Sequence, residues 1–303
     1  MSRFCNAKFD YGVVRRLAVL VMFSATFMLG VEGCSITQLT IGATGGIIKG
    51  AFEAMNRETD LQLAADAIPG DLKLLDGLIL EAPNDKSLLL LGAQGYTSYA
   101  LGFVEGSSAS RASLFYMRAR NYGLRILFEN KDFKKNFGGD LADFQQALDK
   151  FGKQNVPAVF WTANAWGSYI NLNRDNVDAL ADLPKVEAMM KFVLKYEPSY
   201  FYGGAHLFFG TILGSLPAMF GGDTTKSREN FDSAIQASHG KFLMTYYYYA
   251  KTYAVMTQNK DLFKSLLEKV IDAPVNLLPD QNLANQIAKA KAKALLKNEN
   301  DYF

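Results

Sequence analysis

Few residues in this chain have the type and spacing to do covalent chemistry. The 303 residues hold two cysteines, Cys5 and Cys34, and two histidines, His206 and His239. No His-Glu-x-x-His zinc motif, Gly-x-Ser-x-Gly nucleophile elbow or Cys-x-x-Cys pair occurs. The stretch GATGGIIKG (42–50) is glycine-rich like a phosphate loop. It lacks the Gly-Lys-Ser/Thr ending whose side chains meet phosphate and metal, so it reads as a tether. His239 stands before Gly240 at a helix stop and reads as a cation on a helix C-terminus. Asp and Glu are scattered without a paired constellation. No catalytic residue, metal site or cofactor is expected.

One cysteine does have a chemistry. Arg15 and Arg16 precede an apolar run, Leu17 to Val31, broken only by Ser24 and Thr26. It is shorter than the roughly 18–20 residues a spanning helix needs, which favours a secretory signal peptide. The run ends Leu29-Gly30-Val31-Glu32-Gly33-Cys34. This resembles a bacterial lipobox, with Val31 and Gly33 matching and Glu32 departing from the pattern. The resemblance implies acylation of Cys34 and residues 1–33 as a lipoprotein signal peptide. Cys5 would leave with the signal, so the exported chain could form no internal disulfide. Two or more acyl chains suffice for stable membrane attachment. Ser35 after the cysteine, by analogy with other lipoproteins, points to the periplasmic side of the outer membrane.

The second feature is aromatic. Phe160, Trp161, Trp166, Tyr200, Phe201 and Tyr202 fall on consecutive helical segments that should be neighbours, with His206 close behind. They serve either as core packing or as the lining of an apolar cavity with polar tips, the usual make-up of a small-molecule pocket. His206, among Tyr202, Phe208 and Phe209, is read as a hydrogen-bonded core or pocket residue.

The elements that must carry these residues are helices. No run alternates as a strand does, and apolar residues recur at helical spacing from Asp60 onward. Breaks are expected at Pro69 and at Pro83-Asn84. A long apolar helix, Ser87 to Val104, is expected next, and then Leu114 to Phe128, which should carry Met117, Asn121 and Leu124 inward. A polar break follows at Phe133 to Asp140. Pro157 suits the first turn of a helix through Leu172, and Leu183-Pro184 opens another. The segment Gly221 to Val255 reads as a helix capped by Asp223, a left-handed stop at Gly240, and a return helix from Leu243. The run Tyr246 to Tyr249 cannot all face inward on one helix, so some of it should be exposed or in an interface. The last helix should bury Leu283, Ile287, Ala290 and Ala294. The sum is all-α, a tetratricopeptide-like stack of helical hairpins. Residues 34–59 form the lipid tether and first helix, and residues 60–303 the helical-repeat domain.

The net charge is +2, and it falls to zero once the first 33 residues are set aside. A neutral surface carries no footprint for nucleic acid.

From about residue 60 to the C-terminus, the order of short motifs resembles one family. These include Ala67-Ile68-Pro69 with Leu72-Lys73, Tyr122-Gly123-Leu124-Arg125, Phe160-Trp161 with Trp166-Gly167, and Asp182-Leu183-Pro184. They continue with Gly203-Gly204-Ala205-His206, Gly221-Gly222-Asp223, Gly240-Lys241-Phe242-Leu243 and Asp261-Leu262-Phe263. The family is the T component (TatT) of tripartite ATP-independent periplasmic, or TRAP, transporters. The resemblance implies a periplasmic lipoprotein of tetratricopeptide-like helices that forms a homotrimer and partners the solute-binding P component. It implies a hydrophobic pore that holds or passes an apolar or organic-acid ligand, and no enzyme activity. The alternative reading is an envelope scaffold that only docks proteins.

Overall fold

Short polar side chains set the helix starts. Asp60, Asp85, Ser108, Asn130, Asp140, Asn176, Asp223 and Asn259 each accept a hydrogen bond from a first-turn backbone N–H. The structure, a computed structural model, describes residues 36–303 and the side chains from residue 46 onward. Residues 1–33, expected from sequence to be a signal peptide, and Cys34 lie outside the described residues. Among the described residues every regular element is helical.

In chain order the helices are α1 (Ile36–Asn56), α2 (Leu61–Glu81), α3 (Lys86–Tyr99), α4 (Ala109–Leu127), α5 (Lys131–Asn136), α6 (Leu141–Leu148) and α7 (Val156–Leu172). They continue with α8 (Val177–Ala181), α9 (Leu183–Tyr196), α10 (Tyr200–Leu213), α11 (Thr224–Ala237), α12 (Leu243–Tyr249), α13 (Lys260–Asp272) and α14 (Asn282–Lys297). Within residues 45–303, α2 packs on α3, α3 on α4, α4 on α7, α7 on α9, α10 on α11 and α13 on α14. The result is the expected all-α stack of helical hairpins.

Several local expectations differ from the structure, each for a physical reason. The glycine-rich stretch 42–50 is helical, within α1, rather than an extended tether. Ile48, Phe52 and Met55, spaced four and three apart, give that helix one apolar face. Pro69 sits inside α2 instead of ending it. A proline there forfeits one backbone hydrogen bond, a cost near 3 kcal/mol. Burial of Ala64, Leu72, Leu75 and Ile79 along one face carries the helix through it. The break expected over Phe133 to Asp140 is irregular only from Phe137; Phe133 to Asn136 belong to α5, because Phe133 is fully buried against Phe144 and Phe151.

Helix α4 buries Leu124 as expected and half-buries Met117, but not Asn121. Asn121 is exposed and Leu114 is 71% exposed, while Ala112, Tyr116, Ala119, Gly123 and Leu127 are buried. Small residues select that face because α7 approaches closely. A Cβ on Gly123 would lie 2.1 Å from Thr162 Oγ1. In α14 the buried set is Leu283, Ile287, Ala288, Ala292 and Leu295, leaving Ala290 and Ala294 exposed.

The tyrosine run is the largest departure. Tyr246, Tyr247 and Tyr249 are all buried, and Tyr248 is half-buried. Helix α12 contacts α10, α11, α13 and α14, and each of its residues is buried or half-buried, so it has no solvent face. Two π-helical turns, Ala100–Val104 after α3 and Ala250–Ala254 after α12, were not legible from the pattern. The stop at His239-Gly240 is as expected: both are left-handed (φ 50° and 69°), and Gly240 N–H donates to Ile235 O.

Candidate functional site

Helix α7 is apolar on nearly every side, yet Phe160, Asn164, Ser168 and Asn171 recur at four, four and three residues. That spacing puts them on one face, which lines a chamber of about 210 Å³. The opposite wall is α10, through Gly204, Leu207, Phe208 and Thr211, again at helical spacing. Helix α3 and the π turn after it contribute Thr97, Leu101 and Glu105. Helix α12, with the residue before it, contributes Phe242, Met244 and Tyr248. The two walls can approach because Gly204 has no side chain: a Cβ there would lie 2.5 Å from Phe160 Cζ.

The chamber is mostly apolar with a few fixed polar tips, a composition suited to orienting a small molecule. Glu105 accepts a 2.7 Å hydrogen bond from Tyr116 Oη. Burial, with the Glu105 charge adding, holds the Tyr116 phenol well above its ordinary value. Burial does the same for Tyr248, and Glu105 again adds to it. Both phenols are therefore neutral hydroxyls at physiological pH. Lys291 lies near this corner: burial lowers its ammonium, and the Glu105 charge opposes that. Arg174, just past the end of α7, also lines the chamber and donates from Nε to Asn171 Oδ1 at 3.1 Å. Among the described residues no cluster of His, Cys, Asp and Glu has the arrangement to hold a metal ion.

A second cavity, about 170 Å³, is lined by Phe52, Met55, Ile68, Tyr99, Trp161 and Leu283, with Gln94, Ser98 and Asp71 as polar tips. Phe201 lines both cavities.

The aromatic residues singled out from sequence divide into two groups. Phe160, Trp161, Tyr200 and Phe201 come together: Phe160 lies 5.2 Å from Trp161, 5.2 Å from Tyr200 and 5.7 Å from Phe201 between ring centroids. Trp161 meets Phe201 edge-on at 4.6 Å. Tyr202 stacks on Phe242 at 5.2 Å. Of the residues singled out, Phe160, Trp161 and Phe201 line a cavity, and Trp166, Tyr200, Tyr202 and His206 line neither. Trp166 is on another face of α7, where the Arg120 guanidinium lies 4.1 Å over its ring and Phe137 packs at 5.4 Å. His206 turns toward α11, its Nδ1 2.9 Å from Asn230 Oδ1. Asn164, Ser168, Asn171, Glu105 and Tyr248 were not anticipated. The polar stripe on an otherwise apolar α7 was the signal for the first three.

Residues 57–303 match the family model described as TRAP transporter T-component. An uncharacterized protein of Treponema pallidum (strain Nichols) is 23% identical over 263 residues, covering 81% of each chain.

Proposed function

The chain belongs to the TRAP transporter T-component family, and from that premise we propose that it is a lipid-anchored periplasmic accessory subunit of a TRAP system. In this reading it is acylated on Cys34, held at the outer membrane, and trimeric. It docks the solute-binding P component and holds or passes an apolar or organic-acid ligand. The observation that carries the ligand role is the chamber between α7 and α10, apolar in its walls and polar at a few fixed points. No helix among the described residues is long and apolar enough to cross a membrane, which suits attachment through lipid.

Docking has a surface to use. Leu180 and Leu216 line the chamber, and Leu180 is 41% exposed. Val177, Met219 and Phe220, a few residues away in sequence, are 79%, 82% and 67% exposed. In this reading these exposed apolar residues supply the docking contact.

Co-purification with the solute-binding protein of the same transport system, followed by native mass spectrometry, tests the proposal. The expected result is a complex at micromolar concentration carrying a small molecule. Two folded proteins that fail to associate at micromolar concentration would overturn it. A complex without a small molecule would leave a protein-docking role alone. The paired substitution Met219→Ser, Phe220→Ser should weaken docking roughly tenfold with an unchanged melting temperature. Cys34→Ala should release the chain from membranes, and lipid labelling equal to wild type would refute the anchor.

A further inference from the structure

Helix α3 and the π turn after it serve both cavities: Gln94 and Ser98 line the smaller, Thr97 and Leu101 the larger. Helix α7 does the same with consecutive residues, Trp161 on the smaller side and Phe160 on the larger. Among the described residues Phe201 alone lines both. Its ring is held edge-on by Trp161 at 4.6 Å and by Phe242 at 5.8 Å, yet stays only half-buried because cavity lies beside it.

The backbone that aims this ring is unusual. Phe201, Tyr202 and Gly203 have φ of 45°, 58° and 75°, three successive left-handed residues at the start of α10. Side-chain-bearing residues seldom adopt that conformation, and where they do the surroundings must hold them in it. Here Tyr202 stacks on Phe242, and Gly203 abuts the backbone of Ala234. In a regular helix the ring of residue 201 would leave in another direction. The left-handed turn is what places it between the cavities.

We infer that the Phe201 ring is a plug between the two cavities of the proposed ligand site, and that it sets the length of the unbranched apolar chain, with a polar head, that the site accepts. The inference rests on the chamber being a ligand site. Each cavity alone offers room for a short chain; both together accept one that passes the position of the ring. Phe201 thus sets the length of chain that binds.

Titration calorimetry with saturated fatty acids from octanoate to palmitate tests this. The full chain carries Cys34→Ala so that no detergent competes. With Phe201 in place affinity should stop rising at a short acid. Phe201→Gly removes the ring and suits the left-handed backbone. It should move the tightest binder to a longer acid, gaining roughly threefold in Kd for each methylene newly buried. If circular dichroism shows that Phe201→Gly does not fold, Phe201→Leu reads the same shift at smaller size. Binding by both proteins with the same best chain length overturns the plug and leaves the ligand site standing. No binding of any acid to either protein overturns both.

Discussion

Gly203→Ala should destabilise the chain by about 2–4 kcal/mol, from two separable causes. Gly203 has φ of 75°, where an L side chain costs roughly 1–2 kcal/mol. Its Cβ would also lie 2.9 Å from Ala234 Cα and 3.0 Å from Ala237 Cβ. Backbone cannot rotate aside as a flexible side chain can, and overpacking of this kind costs about 1–3 kcal/mol. The affected contact is the α10–α11 seam, where Gly210 lies against the Phe231 ring and Gly214 against Ser227. Urea unfolding followed by circular dichroism should show the midpoint falling with the slope unchanged. Gly70→Ala is the control. Its Cβ would meet nothing within 4 Å on α2, so it should stabilise by up to about 1 kcal/mol. Equal effects of the two substitutions would show that the left-handed turn is not as described. Because that turn aims Phe201, a folded Gly203→Ala should also bind chamber ligands differently.

Asp76→Ala should cost about 2–4 kcal/mol, because one carboxylate ties three helices together. Its side chain is 13% exposed and accepts from Tyr96 Oη, Tyr122 Oη and Lys73 Nζ, each at 2.7 Å. Arg118 Nη1 approaches it at 3.2 Å, and the same guanidinium sits 5.1 Å over the Tyr96 ring. Removing the carboxylate leaves two phenols without their acceptor between α2, α3 and α4, and leaves Arg118 only its 2.9 Å bond to Tyr96 Oη. Burial works to raise the Asp76 carboxyl, but the hydrogen bonds from Lys73, Tyr122 and Tyr96 outweigh it and hold the group below its ordinary value of 3.8. The sign follows. A carboxylate favoured in the folded state contributes stability that is complete above the unfolded value and is lost as pH falls through the folded one. Acid unfolding below about pH 4 should therefore be shallower in Asp76→Asn than in the unsubstituted chain. Identical acid limbs would show that the knot does not form.

The aromatic group shows how far the sequence could be read. Phe160 to Phe201 meet because helical periodicity, Pro157 and the glycines at 203 and 204 place α7 and α10 as neighbours. Trp166 was indistinguishable from Trp161 in type and helix, yet it fills core under Arg120. The partnership of Asp76 with Arg118, 42 residues away, carried no local mark.

The sequence by itself determined the class of structure and most of its punctuation. Caps at Asp223 and Asn259, a proline in the first turn of α7 and the left-handed stop at Gly240 are local events between residues a few positions apart. The tertiary structure alone decided which faces are buried. Periodicity orders residues around one helix axis, but burial depends on how many neighbours surround that axis. Helix α12 contacts α10, α11, α13 and α14, so three tyrosines of a single turn are buried where some exposure was expected. The cavities have the same origin, being space left between several helices whose approach distances no single segment encodes.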